Sequence, residues 1–446
     1  MNRLKIMGVL SGIAAALFSC ADRENKTPDY DPSQPVVRSF FYPDSGKIAS
    51  KVLLNGENFG SDPTNIRVYF NRKKAAVIRS SGSQMYVVVP RMPGDTCDVS
   101  VAVGNDSAAY TQKFRYFQSV SVQTVTGNGD RNPLAGTLAE ATLSAQYLCV
   151  DLEGNVFVTV GGGNDRTADY GEGYGMETAY GIFKINEAAN KAEILIMVST
   201  PRDYAANGLC TDENTGIILI ANEGKIEEFT TLDPRENFAV RRRNLRITET
   251  NGFAYPSAGK HSMAWCKADN MIYGKWYSGQ VFRMNPKTYE AELIGMTVEG
   301  TWPGFANDPA NPEWMYMSAR SGSASPGIWK FNIHDFAGTI QRIHAPGAGH
   351  RDGPVAFAQF NEPWQIFFDQ DGSLYVADAG NHCIRRIAPD GKMVETVLGI
   401  PGKRGWKDGT KEDALFFAPR GIGVTRDGTV YVADWGNRRL RKLIVE

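Results

Sequence analysis

The sequence predicts an all-β chain in two parts, a small β-sandwich followed by a six-bladed β-propeller. Three observations predict it. First, a block near the C-terminus recurs: Asp371-Gly372-Ser373-Leu374-Tyr375-Val376-Ala377-Asp378-Ala379-Gly380-Asn381 returns 56 residues later as Asp427-Gly428-Thr429-Val430-Tyr431-Val432-Ala433-Asp434-Trp435-Gly436-Asn437. Repeats of this length mark propeller blades or solenoids. Second, residues 36–117 read as short runs with apolar residues at alternate positions, punctuated by Gly, Pro, Asn and Asp, which is a sandwich pattern. Third, 46 glycines stand beside 18 Tyr, 22 Phe and 8 Trp, a composition suited to many short strands joined by tight turns.

At the N-terminus, Arg3 and Lys5 precede an apolar stretch from Ile6 to Phe18. It is too short to span a bilayer as a mature helix and reads as a secretory signal over residues 1–19. The stretch ends in Leu17-Phe18-Ser19-Cys20, which resembles a lipobox. The resemblance implies lipidation of Cys20 and anchoring by several acyl chains, which is stable rather than transient. Residues 20–35 are polar and proline-rich and are expected to form a flexible tether. Asp22 and Glu24 resemble surface-export signals of Gram-negative lipoproteins, so the expected location is the outer membrane, at the cell surface, with the periplasmic face as the alternative.

The sandwich strands are carried by Lys51 to Asn55, Ile66 to Phe70, Met85 to Val89 and Val99 to Val103. Gly56-Glu57-Asn58-Phe59-Gly60, Val68-Tyr69-Phe70 and Val87-Val88-Val89-Pro90 follow one another as in the IPT/TIG family. The segment resembles that immunoglobulin-like fold over nearly its whole length, which implies a spacer or interaction module.

In the repeats, an apolar strand meets an Asp-Gly turn, a second strand ends in Gly-Asn, and two more strands follow. Four antiparallel strands per unit make a propeller blade. The offset of 56 also aligns Asp352 with Asp408, Phe360 with Phe416 and Pro363 with Pro419. The pattern D-G-x-[LV]-Y-V-A-D-x-G-N-x-x-[IL]-R-[RK] resembles the NHL repeat. Weaker copies begin at Cys149, Cys210, Met263 and Phe305, giving six units within residues 118–446. The last unit runs out of chain after its third strand. Val120 to Gly127 resembles the fourth strand Met393 to Gly399, so residues 120–127 are expected to complete the last blade and close the ring, hiding the exposed edges.

Charges nearly cancel, Lys+Arg 48 against Asp+Glu 49, so no global field recruits nucleic acid. Beyond Cys20, five cysteines remain without any C-x-x-C. Cys149, Cys210 and Cys266 fall at similar places in successive units and read as small buried hydrophobes. No cofactor or metal is expected: the five histidines show no metal spacing, and neither H-E-x-x-H nor G-x-S-x-G occurs. The glycine-rich stretch from Gly161 to Gly175 lacks the spacing of a phosphate cradle. It and Ser318 to Pro326 are candidate covers for the channel.

In a propeller the loops entering each first strand and the turns after each second strand share one face. The entry loops offer Tyr147, Asn207, His261, Trp302, Trp364 and Arg420, and the second-strand turns offer Trp276, Tyr277, His382 and Trp435. Aromatic platforms beside a few polar groups suit a sugar. Packing between blades is the competing reading for each tryptophan, and a structural hydrogen bond for His261. The whole architecture resembles IPT/TIG-plus-NHL lipoproteins found beside glycan-uptake systems. That resemblance implies glycan capture, with an outer-membrane transporter as a candidate partner. The alternatives are a channel polysaccharide lyase or hydrolase, built on His261 with Asp203 and Arg420, and a protein-interaction scaffold.

Overall fold

The computed structural model describes residues 29–445 except 92–95, 118–119, 131, 162–179, 199–205, 223–224 and 321. The expected signal sequence, Cys20, the first part of the tether, Asp203 and most of the Gly161–Gly175 stretch lie outside the described residues.

The sandwich is built from strands between Val37 and Tyr116. Val37–Tyr42, Lys51–Glu57 and Gln84–Val88 form one layer; Ile66–Phe70, Thr96–Val103 and Asp106–Tyr116 form the other. Lys73–Ser80 pairs with both, its start with Ile66–Phe70 and its end with Gln84–Val88. Alternate residues of each strand face inward, and Phe41, Phe59, Phe70 and Phe114 fill the space between the layers. Asn58 takes a positive φ of 60°, and its amide donates to the carbonyls of Asp31 (2.8 Å) and Gln34 (2.7 Å). Tyr30 reaches Asp106 at 3.1 Å. The last residues of the expected tether are thus docked on the sandwich, because Asn58 and Tyr30 give them partners that composition does not reveal.

The remainder is a six-bladed propeller, as the repeats predict. Blades 1 to 5 span 145–198, 206–244, 260–296, 304–342 and 363–398, each a run of four antiparallel strands. Blade 6 takes Gly421–Val424, Val430–Asp434 and Arg439–Val445 from the C-terminus and Val120–Thr126 from the start of the domain. Val120–Thr126 lies antiparallel to Arg439–Val445, with Val120 opposite Val445 and Thr126 opposite Leu440. The ring is closed by the strand that the sequence indicates. Innermost strands touch their neighbours all the way round. Ala145–Val150, innermost in blade 1, and Val430–Asp434, the second strand of blade 6, are buried throughout because both of their faces are covered.

The repeated motif has a structural explanation. Gly372 and Gly428 hold φ of 89° and 83° in the first hairpin turn, a region open to glycine at little cost. Asp378 accepts from the Asn361 backbone N–H (2.8 Å), Asn381 (2.8 Å) and Arg385 (2.9 Å). Arg385 also binds Asp352 (2.8 Å) and lies 4.7 Å over Phe360. Asp434, Asn437, Arg441, Asp408 and Phe416 repeat this set. Arg385 and Arg441 are fully buried inside their own blades. The five cysteines that fall in the described residues are all buried, and no disulfide joins them.

The sandwich meets the propeller at the end carrying the first-to-second-strand turns. Arg91 donates to Thr429 at 3.0 Å, and Lys73 stands 3.9 Å from the buried Asp369. The opposite end, with the entry loops, faces away from the sandwich.

Candidate functional site

Strand register places the ten candidate residues at this free end. Lys260 opposes Trp276, Pro363 opposes Asp378, and Gly421 opposes Ala433, so each entry loop lies beside the turn after the second strand.

Their side chains are not arranged as open platforms. Trp276, Trp302, Trp364 and Trp435 are 0 to 3 % exposed, and Tyr147 is 1 % exposed. Trp276 packs 4.5 Å from Phe282 and donates to the Ile226 carbonyl of blade 2 at 2.9 Å. Tyr147 of blade 1 lies 5.4 Å from Trp364 of blade 5. Trp364 is held between Arg320 (5.0 Å) and Arg420 (4.2 Å), and Arg420 lies 3.3 Å over Trp435. The faces expected to receive sugar rings are already covered by cations and neighbouring blades. The exposed-platform expectation therefore fails for these five residues, which pack between blades.

His261 and Tyr277 are accessible. Tyr277 is 39 % exposed and its ring lies 5.7 Å from the half-buried His261. Burial, reinforced by the Lys275 and Arg320 charges, pushes the His261 imidazole down to about 4, so it is neutral at pH 7. His382 is separate from this pair. Its Nδ1 accepts from the Ala418 N–H at 3.2 Å and its ring meets Phe417 edge-on. Asn207 is buried and donates to the Lys260 carbonyl at 3.0 Å.

Three neighbouring cations were missed by loop-and-turn reasoning. Lys260 donates to the carbonyls of Lys225 (3.1 Å) and Ile226. Lys275 donates to Trp276 O (2.8 Å) and Gly300 O (3.4 Å) and lies 5.3 Å from the Trp302 ring. Both ammonium groups are buried, and burial pushes both down to about 7, against the weaker pull of Glu227 and Glu228 on one and Glu299 on the other. Arg320 is the third, its side chain 25 % exposed with Glu362 at 3.6 Å. The available signal was a lysine inside an otherwise apolar strand, as in Ile272-Tyr273-Gly274-Lys275-Trp276.

The axis itself is largely filled. The Gln365 amide accepts from Leu148 N (3.0 Å) and Ile422 N (3.2 Å) and donates to Leu148 O (2.7 Å), tying blades 1, 5 and 6 together. Towards the sandwich end lies a cavity of about 130 Å³, lined from every blade by residues including Asp151, Thr211, Trp265, Asn307, Gln370 and Arg426. Among the described residues, no group of three or more His, Cys, Asp or Glu side chains is placed to hold a metal ion.

Comparison with known proteins agrees with this architecture. The IPT/TIG domain matches residues 35–116 and the NHL repeat matches residues 360–387. SUPPRESSOR OF QUENCHING 1 of Arabidopsis thaliana is 36 % identical over 93 residues, which cover 21 % of this chain and 9 % of that protein. The chain therefore spans a small part of that relative. Among solved structures, a Bacteroides thetaiotaomicron protein of unknown function is 21 % identical with a TM-score of 0.75, covering 94 % of this chain and 100 % of that one. An auxiliary nutrient binding protein from the same organism is 20 % identical with a TM-score of 0.57, covering 94 % and 99 %. At these identities the likeness is one of fold. The chain carries an IPT/TIG domain followed by a six-bladed propeller with an NHL repeat, in an arrangement shared end to end with Bacteroides proteins.

Proposed function

We propose that this is a lipid-anchored outer-membrane protein that captures an oligosaccharide nutrient at the loop-bearing end of its propeller, at the cell surface. The observation that carries the reading is the orientation of the two domains. The sandwich contacts the turn end through Arg91 and Lys73, and the chain enters blade 6 from that same end at Val120. An anchor ahead of the sandwich turns the loop-bearing end, with His261 and Tyr277, outward. The auxiliary nutrient binding protein whose fold aligns over both domains supports the same role, and an outer-membrane transporter is the partner that would take the cargo onward.

Calorimetric titration of the full chain in detergent against an oligosaccharide panel tests it, with each hit incubated overnight and its products analysed. Saturable binding without turnover, weakened about tenfold by a paired Tyr277→Ala and His261→Ala change, is the expected result, about 1.4 kcal/mol lost. Failure of every oligosaccharide to bind would overturn it. A lyase is the second reading, favoured by one observation: His261 is a neutral base beside two cations, the setting for proton abstraction. Cleaved product would establish that reading instead.

A further inference from the structure

The loop-bearing end carries an arc of four cations: Lys260 and Lys275 of blade 3, Arg320 of blade 4 and Arg420 of blade 6. The arc is continuous. Lys260 lies 5.9 Å from the Trp276 ring, and Lys275 binds the Trp276 carbonyl. Lys275 also binds Gly300 O, while the main-chain N–H of Arg320 donates to Thr301 O at 2.9 Å. The loop at Gly300 and Thr301 therefore touches both residues, and the charges of both bear on His261. Arg320 then meets Arg420 across the Trp364 ring.

Two features of this arc point to an anion as its ligand. The hydrogen-bond partners of both lysine ammonium groups are main-chain carbonyls, which carry no formal charge to offset a buried cation. In addition, the indole N–H groups of Trp302 and Trp364, both at least 97 % buried, find no acceptor among the described residues. Unpaired buried donors beside ammonium groups that hydrogen-bond to no carboxylate suit an acceptor from outside. His261 stands near both Lys275 of its own blade and Arg320 of blade 4, and Glu299 of the intervening loop faces Lys275. Lys260 is faced by Glu227 and Glu228 of blade 2. Glu362 stands 3.6 Å from Arg320 and is the carboxylate a ligand must displace.

Resting on the capture reading, we propose that the corner formed by Arg320, His261, Tyr277 and the loop at Gly300 and Thr301, with Lys275 beneath it, binds the anionic group of an acidic glycan, a carboxylate or a sulfate. Arg320 supplies the planar fork that pairs with such groups. Lys275 supplies charge from below. Bringing the anion close favours the charged ammonium, so binding near pH 7 takes up protons.

The test is calorimetry of the full chain in detergent with oligogalacturonate, its methyl ester, and a galactan oligosaccharide with and without sulfate. Esterification or desulfation is expected to weaken binding about tenfold or more, and the arm that responds identifies the anion. Arg320→Gln is expected to remove the preference for the acidic form. Lys275→Met is expected to remove the proton uptake, read by repeating the titration in buffers of different ionisation enthalpy; a lysine serving only as a structural strut would leave it unchanged. Should the Arg320 variant not fold, Thr301→Glu at the partly exposed rim is expected to repel the acidic ligand alone. Equal affinity for acidic and neutral forms overturns this proposal and leaves the capture reading standing. Absence of binding to any oligosaccharide overturns both.

Discussion

Arg385 and Arg441 each sit with no solvent contact in a socket made by two aspartates, two main-chain carbonyls and a phenyl ring. A buried guanidinium tolerates this only while its carboxylates remain. Asp434→Ala is expected to cost about 3–5 kcal/mol, seen as a lower urea midpoint at unchanged slope. The buried lysines behave in the opposite sense. Burial lowers their folded-state pKa from the ordinary 10.5 to about 7, so at pH 7 the unfolded chain holds more protons. Stability is therefore expected to rise as pH increases above about 7, up to the onset of thiol titration near 9, where the four buried thiols of Cys149, Cys210, Cys266 and Cys383, all pushed up by burial, together outweigh the two lysines and reverse the trend. Thermal melts of the native chain and Lys275→Met across this window check it; an unchanged slope in the variant would count against the assignment. Trp276, at the centre of a packed contact, acts on the same quantity: truncating it to Ala removes stability, about 3–5 kcal/mol, before any question of affinity arises.

Strands are where the sequence speaks most clearly, and the reason differs from blade to blade. Blades 5 and 6 show a repeat because the arginine socket demands Asp, Asn and Arg at fixed spacing. Blades 1 to 4 lack the socket and keep only the turn, with other residues doing the work of Asp-Gly. Asp151 accepts from the N–H groups of Glu153 and Asn155, and Asp308 from those of Ala310 and Asn311. The closing strand was legible because a missing fourth strand and a spare one occur in the same chain. The site was less so. Whether a tryptophan at a strand end is open or covered depends on residues from other blades, such as Ile226 over Trp276 or Arg420 over Trp364, and no local spacing encodes that. Removing residues up to 127 leaves Arg439–Val445 as an unpaired edge. Such a chain is expected to aggregate, by size-exclusion chromatography, where one that keeps 118–127 stays soluble.

For the whole molecule, the sandwich is fixed to the propeller by side chains as well as by the chain itself, since Lys73 and Arg91 reach the turns of blades 5 and 6. The proposed anchor at Cys20 would make the membrane the reference for that geometry. Cys20→Ala is expected to move the protein from the membrane pellet to the soluble fraction on fractionation, with the fold unchanged by circular dichroism. Retention in the pellet would sink the lipid-anchor reading.

The closing strand also decides how the joint bears tension. Val120–Thr126 runs lengthwise against Arg439–Val445 over six residue pairs. A pull between the sandwich and the propeller acts along that strand, so its ladder is strained in shear, all rungs together. A strand peeled from its end would lose them one after another. The chain that passes from one domain to the other is therefore also the bolt that fastens them.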